Sequence, residues 1–348
     1  MIFKQLVGGK YTVASMFAGI GGICLAFKNI GAEVVWANEI DRNACSTYRE
    51  NFGEEYLVEG DIRSVDVGSI PDFDILTAGF PCQAFSIAGY QKGFTDDRGN
   101  VFFEVAKVLR EKKPRAVFLE NVKNLERHDG GRTFRIIREA LNQEGYFIAH
   151  KVLNSMEYGG IPQNRERIYI VGFRNEGDLS RFSFPEKAEL KKTIHDIVDV
   201  GHKAEDRYYY SKDSLYYEML KEGVRRRDTV YQIRRVYVRE NKKNVCPTLT
   251  ANMGSGGHNV PIIRDDFGIR KLTPRECFSF QGFPESYRFP KQASNTALYH
   301  QAGNSVVVPV VERIAERMVK AMRAGDEHSA VQKKAGAEGL GPYLGIEL

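Results

Sequence analysis

The chain has 348 residues, 42% hydrophobic and 27% charged, which is typical of a globular protein with one large domain or one large and one small domain. Its most apolar segment, residues 306–311, is far too short to span a bilayer, and the first residues lack the apolar core of a secretion signal. The cysteines number five, with no CxxC pair, so we expect neither a disulfide framework nor a metal site, and a cytoplasmic location.

Short apolar strands alternate with helical stretches over the first half of the chain, which predicts an α/β fold with a parallel sheet and helices on both faces. In chain order, strands are predicted at residues 11–17, 33–37, 75–78, 116–119 and 168–173, and helices at 22–30, 101–110 and 133–143. The pattern loosens after residue 185, and apolar helical texture returns at 305–322. We therefore predict a large domain from residues 1–185 plus 291–325, a small irregular domain at 186–290, and a disordered tail at 326–348.

The net charge of +5 is concentrated in one part of the chain. Residues 186–290 contain 20 Lys and Arg against 15 Asp and Glu, and within them residues 221–243 contain nine basic and three acidic residues. A basic cluster of this kind suits a nucleic-acid backbone, but on charge alone a solvated surface is the more common case.

A glycine-rich loop, FAGIGG at residues 17–22, follows the first strand and opens a helix. Such a loop lets a ligand approach the backbone and the free N–H groups of the helix N-terminus. The dinucleotide fingerprint is incomplete, because Cys24 stands at its last glycine position. Glu39 follows the second predicted strand, where an acid can bind ribose hydroxyls, and Asp61, after Glu59 and Gly60, is a candidate for the same position after another short strand. Each acid alone is more often incidental, but together with the loop they favour an adenosine-containing ligand.

Three further motifs carry groups capable of chemistry. GFPCQAFS at residues 79–86 places Cys82 after a strand, where a thiolate can attack an electrophilic carbon, although a lone cysteine is more often a small buried hydrophobe. ENV at residues 120–122 places Glu120 at a strand end, either as a proton donor or as a structural cap or ion pair. QNRER at residues 163–167 offers Arg165 and Arg167 to a carbonyl oxygen or a phosphate, or as partners in structural pairs.

These motifs, followed by RKLTPRECFSFQGF at 270–283 and QAGNSV at 301–306, resemble the cytosine-C5 DNA methyltransferases, especially the compact bacterial enzymes of restriction–modification systems. The resemblance extends from residue 12 to about residue 320. It implies a Rossmann-like S-adenosylmethionine-dependent methyltransferase sheet in residues 1–185 plus 291–325. Residues 186–290 would form a target-recognition domain that binds DNA.

The resemblance also implies catalytic roles. Cys82 would attack C6 of a cytosine flipped out of the duplex, and Glu120 would protonate N3. Arg165 would hold the cytosine O2, and Arg167 would support the site. The residues implied to bind S-adenosyl-L-methionine are Phe17, Ala18, Gly19, Ile20, Gly21, Gly22, Glu39, Ile40, Asp61, Ile62, Pro81, Asn304, Ser305 and Val306.

For DNA, the resemblance implies a mobile loop at residues 86–98 and recognition around the CPTLTANMGSGGHN stretch at 246–259. The candidate DNA-binding residues are Gln83, Ser86, Arg98, Arg234, Arg235, Arg239, Thr248, Leu249, Gly256, Gly257 and His258. His258 has no second ligand at metal-binding spacing, so a hydrogen-bonded loop residue is the simpler interpretation. The arginines suit base edges and phosphates equally, and the sequence does not separate the two roles.

The expected protein is a monomeric enzyme that methylates double-stranded DNA and protects it from a cognate restriction endonuclease without a stable complex with that endonuclease. Two alternatives remain: an RNA cytosine-C5 methyltransferase and a non-catalytic DNA-binding relative. The basic segment argues against the first, and the presence of Cys82, Glu120 and Arg165 argues against the second.

Overall fold

The computed structural model describes residues 10–80, 101–255 and 259–338, with side chains described as far as residue 328. A seven-stranded sheet with strand order β3-β2-β1-β4-β5-β8-β6 forms its centre. Its strands are β1 (Thr12–Met16), β2 (Glu33–Glu39), β3 (Leu57–Glu59), β4 (Ile75–Gly79), β5 (Ala116–Val122), β6 (Phe147–Asn154) and β8 (Glu166–Phe173), and the short β7 (Gln163–Asn164) precedes β8. The sheet confirms the predicted α/β fold.

One edge of the sheet differs from the parallel arrangement predicted from sequence. Strands β1 to β5 pair in parallel, but β8 runs antiparallel to both β5 and β6. The physical reason is the short connection between β6 and β8, since parallel neighbours need a long crossover, whereas antiparallel neighbours need only a turn.

Helices cover both faces of the sheet, as the alternating burial of β5 shows. Ala116 and Phe118 belong to the core beneath the first and last helices, while Val117 and Leu119 pack on the opposite face. The helices are α1 (Gly22–Asn29), α2 (Arg42–Phe52), α3 (Val101–Lys112), α4 (Arg132–Gln143), α5 (Ser155–Tyr158), α6 (Glu176–Arg181), α7 (Tyr217–Gly223), α8 (Pro274–Phe280), α9 (Asn295–Asn304) and α10 (Val308–Glu338). Helix α10 packs against α1, α5 and α6, so the last helix closes the core that the first strands begin.

A second, four-stranded antiparallel sheet lies within the predicted small domain. Its order is β10-β9-β12-β13, formed by β9 (Tyr231–Arg234), β10 (Tyr237–Glu240), β12 (Ile262–Arg264) and β13 (Ile269–Lys271). Leu220, Tyr231 and Ile262 belong to a separate small core. Strand β11 (Cys246–Pro247) is not part of this sheet and pairs in parallel with β7, just before β8 of the large sheet. The domain limits at residues 186 and 290 stay predictions.

Residues 326–338 of the predicted disordered tail are helical instead, because α10 continues to Glu338, and the remaining residues 339–348 lie outside the described part of the chain. Its alanines, glutamates and lysines are good helix formers as well as common in disordered segments. Asp326 also ties the helix to the sheet, accepting hydrogen bonds from Tyr11 (2.8 Å) and Arg115 (2.5 Å). Among the residues described, no helix is long and apolar enough to cross a membrane.

Candidate active site

A cavity of about 520 Å³ opens at the carboxyl ends of β1, β2, β4 and β5, where ligands bind in open α/β sheets. The predicted cofactor residues that line it are Phe17, Ala18, Gly19, Ile20, Gly22, Glu39, Ile40, Asp61, Ile62, Asn304, Ser305 and Val306. The predicted catalytic residues Glu120, Arg165 and Arg167 line it too. Gly21 does not: a Cβ there would lie 2.3 Å from the ring of Phe52, so this glycine faces the packed side of the loop.

The loop before α1 owes its shape to backbone conformations that favour glycine. Gly19 and Gly21 have φ values of 55° and 85°, in the left-handed region. At Gly22 the reason is contact, because a Cβ would lie 2.7 Å from Ser305 Oγ. The first turn of α1 is therefore packed directly against the segment that closes the cavity from the far end of the chain.

Glu39 organises the next part of the cavity. Its carboxylate accepts hydrogen bonds from the backbone N–H groups of Gly19 (2.7 Å), Ile40 (2.9 Å) and Asp41 (2.8 Å). Asn38 donates to the carbonyls of Val58 (2.9 Å) and Gly60 (3.0 Å), which brings the following Asp61 to the same rim. The two acids predicted from sequence therefore lie on one side of one cavity.

Asp61 and Ile40 provide the charged and the apolar side of this rim. The guanidinium of Arg63 pairs with Asp61 and lowers the pKa of that carboxyl to about 2, so it is ionised at any ordinary pH. Ile40 is 61% exposed although its neighbours along β2 are buried, and it lines the cavity. An exposed aliphatic surface beside acids suits the flat base and the ribose of an adenosine.

Glu120 is a buried carboxyl at the inner end of the cavity. Burial raises its pKa, while the nearby Arg167 and Arg165 act in the opposite direction. Arg167 Nε lies 3.1 Å from Glu120 Oε1, but among the described residues that oxygen has no well-oriented hydrogen-bond donor. A carboxyl with a raised pKa and an unused oxygen is suited to holding a proton for a ligand.

Arg165 and Arg167 occupy different surroundings although they lie two residues apart. Arg165 is 3% exposed, and its Nη1 and Nη2 donate to the carbonyls of Leu249 (2.6 Å), Gly303 (3.0 Å) and Ser305 (2.6 Å). Burial and the neighbouring Arg167 lower the pKa of Arg165 to about 9. Arg167 instead contacts Glu120 directly. Arg165 was expected to hold O2 of the cytosine and Arg167 to support the site, but it is Arg167 that contacts Glu120.

Asn121 fixes the chain just before the predicted nucleophile. Its Nδ2 donates to the carbonyl of Phe80 (2.8 Å), and Gly79 pairs with Glu120 across the sheet. The first described segment therefore ends at Phe80, beside Glu120, two residues before Cys82. The predicted residues that lie outside the described part of the chain are Pro81, Cys82, Gln83, Ser86, Arg98, Gly256, Gly257 and His258.

A second cavity of about 730 Å³ lies between the two sheets. Arg234, Arg239 and Thr248 line it as predicted DNA-binding residues, whereas Arg235 lies in the exposed turn between β9 and β10 and is not part of the lining. Leu249 also differs from expectation: it is fully buried, so its side chain packs in the core and is not presented to DNA.

Sequence reasoning missed two lysines in the second cavity, Lys242 and Lys243. Within the described part of the chain neither makes an ion pair. They belong to the basic segment identified by its charge, but charge alone did not separate them from the solvated basic residues around them.

A sheet of this order, with an adenosine-type cavity at its carboxyl edge, defines the S-adenosylmethionine-dependent methyltransferase class. The solved structure of the S. pombe Dnmt2 methyltransferase shares the fold, with a TM-score of 0.69 and 22% identity over 90% of this chain and 99% of that one. The model of the C-5 cytosine-specific DNA methylase family matches residues 11–320. The chain belongs to this family and uses S-adenosyl-L-methionine as methyl donor.

The chain matches two curated relatives over nearly the whole length of each. The chain is 55% identical to the Type II methyltransferase M.Bsp6I of Bacillus sp. (strain RFL6), over 89% of this chain and 99% of the relative. It is 42% identical to the Type II methyltransferase M.HhaI of Haemophilus parahaemolyticus, over 90% of this chain and 94% of the relative. The predicted enzyme class, a DNA (cytosine-5) methyltransferase, is confirmed.

Proposed function

We propose that the chain methylates C5 of a cytosine flipped out of a specific duplex DNA sequence, through a covalent bond between Cys82 and C6. The observation that carries the proposal is the buried carboxyl of Glu120, which contacts Arg167. The backbone of Glu120 lies beside Gly79 on the neighbouring strand β4. Cys82 follows Phe80 by two residues, so chain geometry keeps their Cα atoms within about 7 Å.

The chemistry needs both groups. C5 of cytosine is a poor nucleophile, and it gains electron density when a thiolate adds to C6 and N3 is protonated. Glu120, whose pKa is raised by burial, donates the N3 proton. Arg167 contacts that carboxyl and orients it, and we propose that the same guanidinium holds O2 of the base. S-adenosyl-L-methionine supplies an electrophilic methyl group for C5. The C5 proton then passes to water, Cys82 is eliminated as the thiolate, and the N3 proton returns to Glu120, so that 5-methylcytosine, S-adenosylhomocysteine and one proton are the products.

The cofactor residues fit an adenosine-containing donor. Glu39 and Asp61 face one cavity, exposed Ile40 offers an apolar surface, and Gln301 in the lining has a buried Nε2 without a partner among the described residues. Asn304 and Ser305 close the opposite wall. We expect these groups to bind and orient the methyl donor next to Glu120, because the cofactor residues and Glu120 line the same cavity.

The second cavity is the proposed DNA site, because it lies between the sheets and carries Arg234, Arg239, Lys242 and Lys243. The target atom lies inside the base stack of a duplex, so the cytosine must be extruded from this site toward Glu120. We propose that the enzyme acts as a monomer and protects DNA from a cognate endonuclease without forming a stable complex with it.

Methyl transfer from labelled S-adenosylmethionine to duplex DNA tests the activity. We expect Cys82→Ser to abolish transfer while DNA binding survives, and active enzyme to form an adduct on DNA carrying 5-fluorocytosine. Transfer to RNA alone, or to no nucleic acid, contradicts the proposed substrate, and an active enzyme without the adduct contradicts the role of Cys82. Bisulfite sequencing of DNA from expressing cells then locates the methylated cytosine.

A further inference from the structure

The DNA cleft and the cofactor cavity share a thin wall. Thr250 lines the first and Gly303 lines the second. A Cβ on Gly303 would lie 2.2 Å from the backbone carbon and oxygen of Thr250, so the end of α9 packs directly on this peptide. A displacement of one side is therefore transmitted to the other.

Arg165 joins the two sides of this wall. Its Nη1 donates to Leu249 O (2.6 Å), next to Thr250 on the DNA side. Its Nη2 donates to Gly303 O (3.0 Å) and Ser305 O (2.6 Å) on the cofactor side. Carbonyls from two distant parts of the chain thus share one buried, planar guanidinium, whose donors have a fixed relative geometry.

Neighbouring polar side chains hold the same junction. Gln163 accepts from Leu249 N (3.2 Å) and donates to Phe280 O (2.7 Å). Thr248 Oγ1 donates to Asn164 O (2.7 Å), and Gln281 Nε2 donates to Ala302 O (2.6 Å). Hydrogen bonds between segments this far apart in the chain favour one arrangement of those segments over others.

We infer that Arg165 is a positioning residue that couples occupancy of the DNA cleft to occupancy of the cofactor cavity. This inference rests on the proposed function, because it takes the cleft at Thr250 as the DNA site. A duplex that orders Thr248–Thr250 also orders Gly303–Ser305 through Arg165, so each ligand strengthens binding of the other by the same factor. The proposed role is distinct from contact with the base, since both Nη groups of Arg165 are bound to carbonyls and, among the described residues, Nε alone of its three nitrogens has no partner.

The test measures this factor directly, as the ratio of the dissociation constants of S-adenosylhomocysteine without and with specific duplex. We expect a ratio of at least about fivefold for the unaltered enzyme, the lower end of typical coupling between sites. Arg165→Lys keeps the charge but cannot span the carbonyls on both sides, so the ratio should fall toward one.

Arg167→Lys is the matched control, with the same replacement two residues away. It should lower kcat while leaving the ratio unchanged, because Arg167 contacts Glu120 and takes no part in the wall. If Arg165→Lys does not fold, Thr248→Val removes a single half-buried hydroxyl from the same junction and should lower the ratio part of the way.

Three results overturn the inference: a ratio of one in the unaltered enzyme, an unchanged ratio in folded Arg165→Lys, or an unchanged ratio in Thr248→Val where the lysine variant does not fold. Failure of the proposed function is distinguishable, because the unaltered enzyme would then transfer no methyl group to DNA. An enzyme that methylates DNA yet shows no loss of coupling in these variants refutes only the role of Arg165.

Discussion

Glu120 shows at the scale of one residue how burial prepares a group for chemistry. The sequence left its side chain open between a proton donor and a structural partner. Its raised pKa and its place in the cofactor cavity favour the donor, and the contact with Arg167 explains how the carboxyl is oriented. The role of Glu120 can therefore be assigned only from its surroundings in the folded chain.

We expect Glu120→Gln to lower kcat by about 10² to 10⁴, the usual contribution of a general acid. The carboxyl of Glu120 acts in its protonated form, which predominates below its raised pKa. Activity of the unaltered enzyme should therefore fall as pH rises through that pKa, and the glutamine variant should lose this alkaline limb. The measurement is kcat against pH.

Glu111→Gln is the control, because it makes the same replacement on an exposed position of α3. Its rate and pH profile should match those of the unaltered enzyme. An unchanged alkaline limb in Glu120→Gln would assign that limb to another group and remove the argument for Glu120 as the donor.

The arginines show where sequence reasoning stops at this scale. Arg165 and Arg167 share a residue type and a motif, and nothing in their spacing ranks them. Their difference arises from distant segments, since Leu249, Gly303 and Ser305 supply the carbonyls that bind Arg165. Contacts between residues far apart in the chain are set by the tertiary fold, which the local pattern does not contain.

At the scale of elements, the cofactor cavity depends on a close contact between α1 and the segment after α9. Replacing Gly22 by alanine places a Cβ 2.7 Å from Ser305 Oγ and 3.0 Å from Val306 Cγ2. Overpacking of this kind costs about 1–3 kcal/mol. We expect weaker cofactor binding, by about tenfold, equivalent to about 1.4 kcal/mol. Calorimetric titration with S-adenosylhomocysteine checks this.

Gly201→Ala provides the comparison, since the nearest atom to its Cβ is Asp199 Oδ1 at 3.7 Å, an ordinary contact. Its cofactor affinity should be unchanged. Equal affinities for Gly22→Ala and Gly201→Ala would show that the wall yields without cost, and that the contact at Gly22 does not shape the cavity.

The strands that sequence located well are the buried ones, because a short apolar run such as Ile75–Gly79 is typical of a strand covered on both faces. Strand β6 was missed because it lies at the sheet edge and mixes exposed and half-buried residues, including exposed Phe147. The direction of β8 was missed because alternation of strands and helices describes order along the chain and not the pairing of strands.

At the scale of the whole molecule, part of the basic excess of residues 186–290 faces one cavity. Lys242 and Lys243 face the second cavity without ion pairs among the described residues. Arg226, from the same basic segment, is already balanced by Asp228 (2.5 Å) and Glu240 (3.1 Å). The sequence composition counts these basic residues equally, whereas their ion pairs in the structure distinguish Arg226 from the two lysines.

We expect the double variant Lys242→Gln/Lys243→Gln to reduce the slope of log K against log salt concentration by about 1.8, since each lost phosphate contact removes about 0.9. Arg226→Gln should leave the slope unchanged, because its charge is already neutralised by two carboxylates. Filter binding or fluorescence anisotropy at several salt concentrations measures both. A slope equally affected by both variants would mean that the cleft is not the principal contact with DNA.

The return of α10 to the first strands has a consequence for how the molecule is made. All strands of the large sheet are complete by Phe173, yet the helix that covers one face begins at Val308. At synthesis rates of about 5–20 residues per second, the ribosome needs about 7 to 27 seconds after the last strand to reach the first residue of this helix. During that interval the apolar face that includes Phe118 and Val171 has the cover of α1 but not that of α10, so we expect newly made chains to depend on chaperones until their last helix emerges.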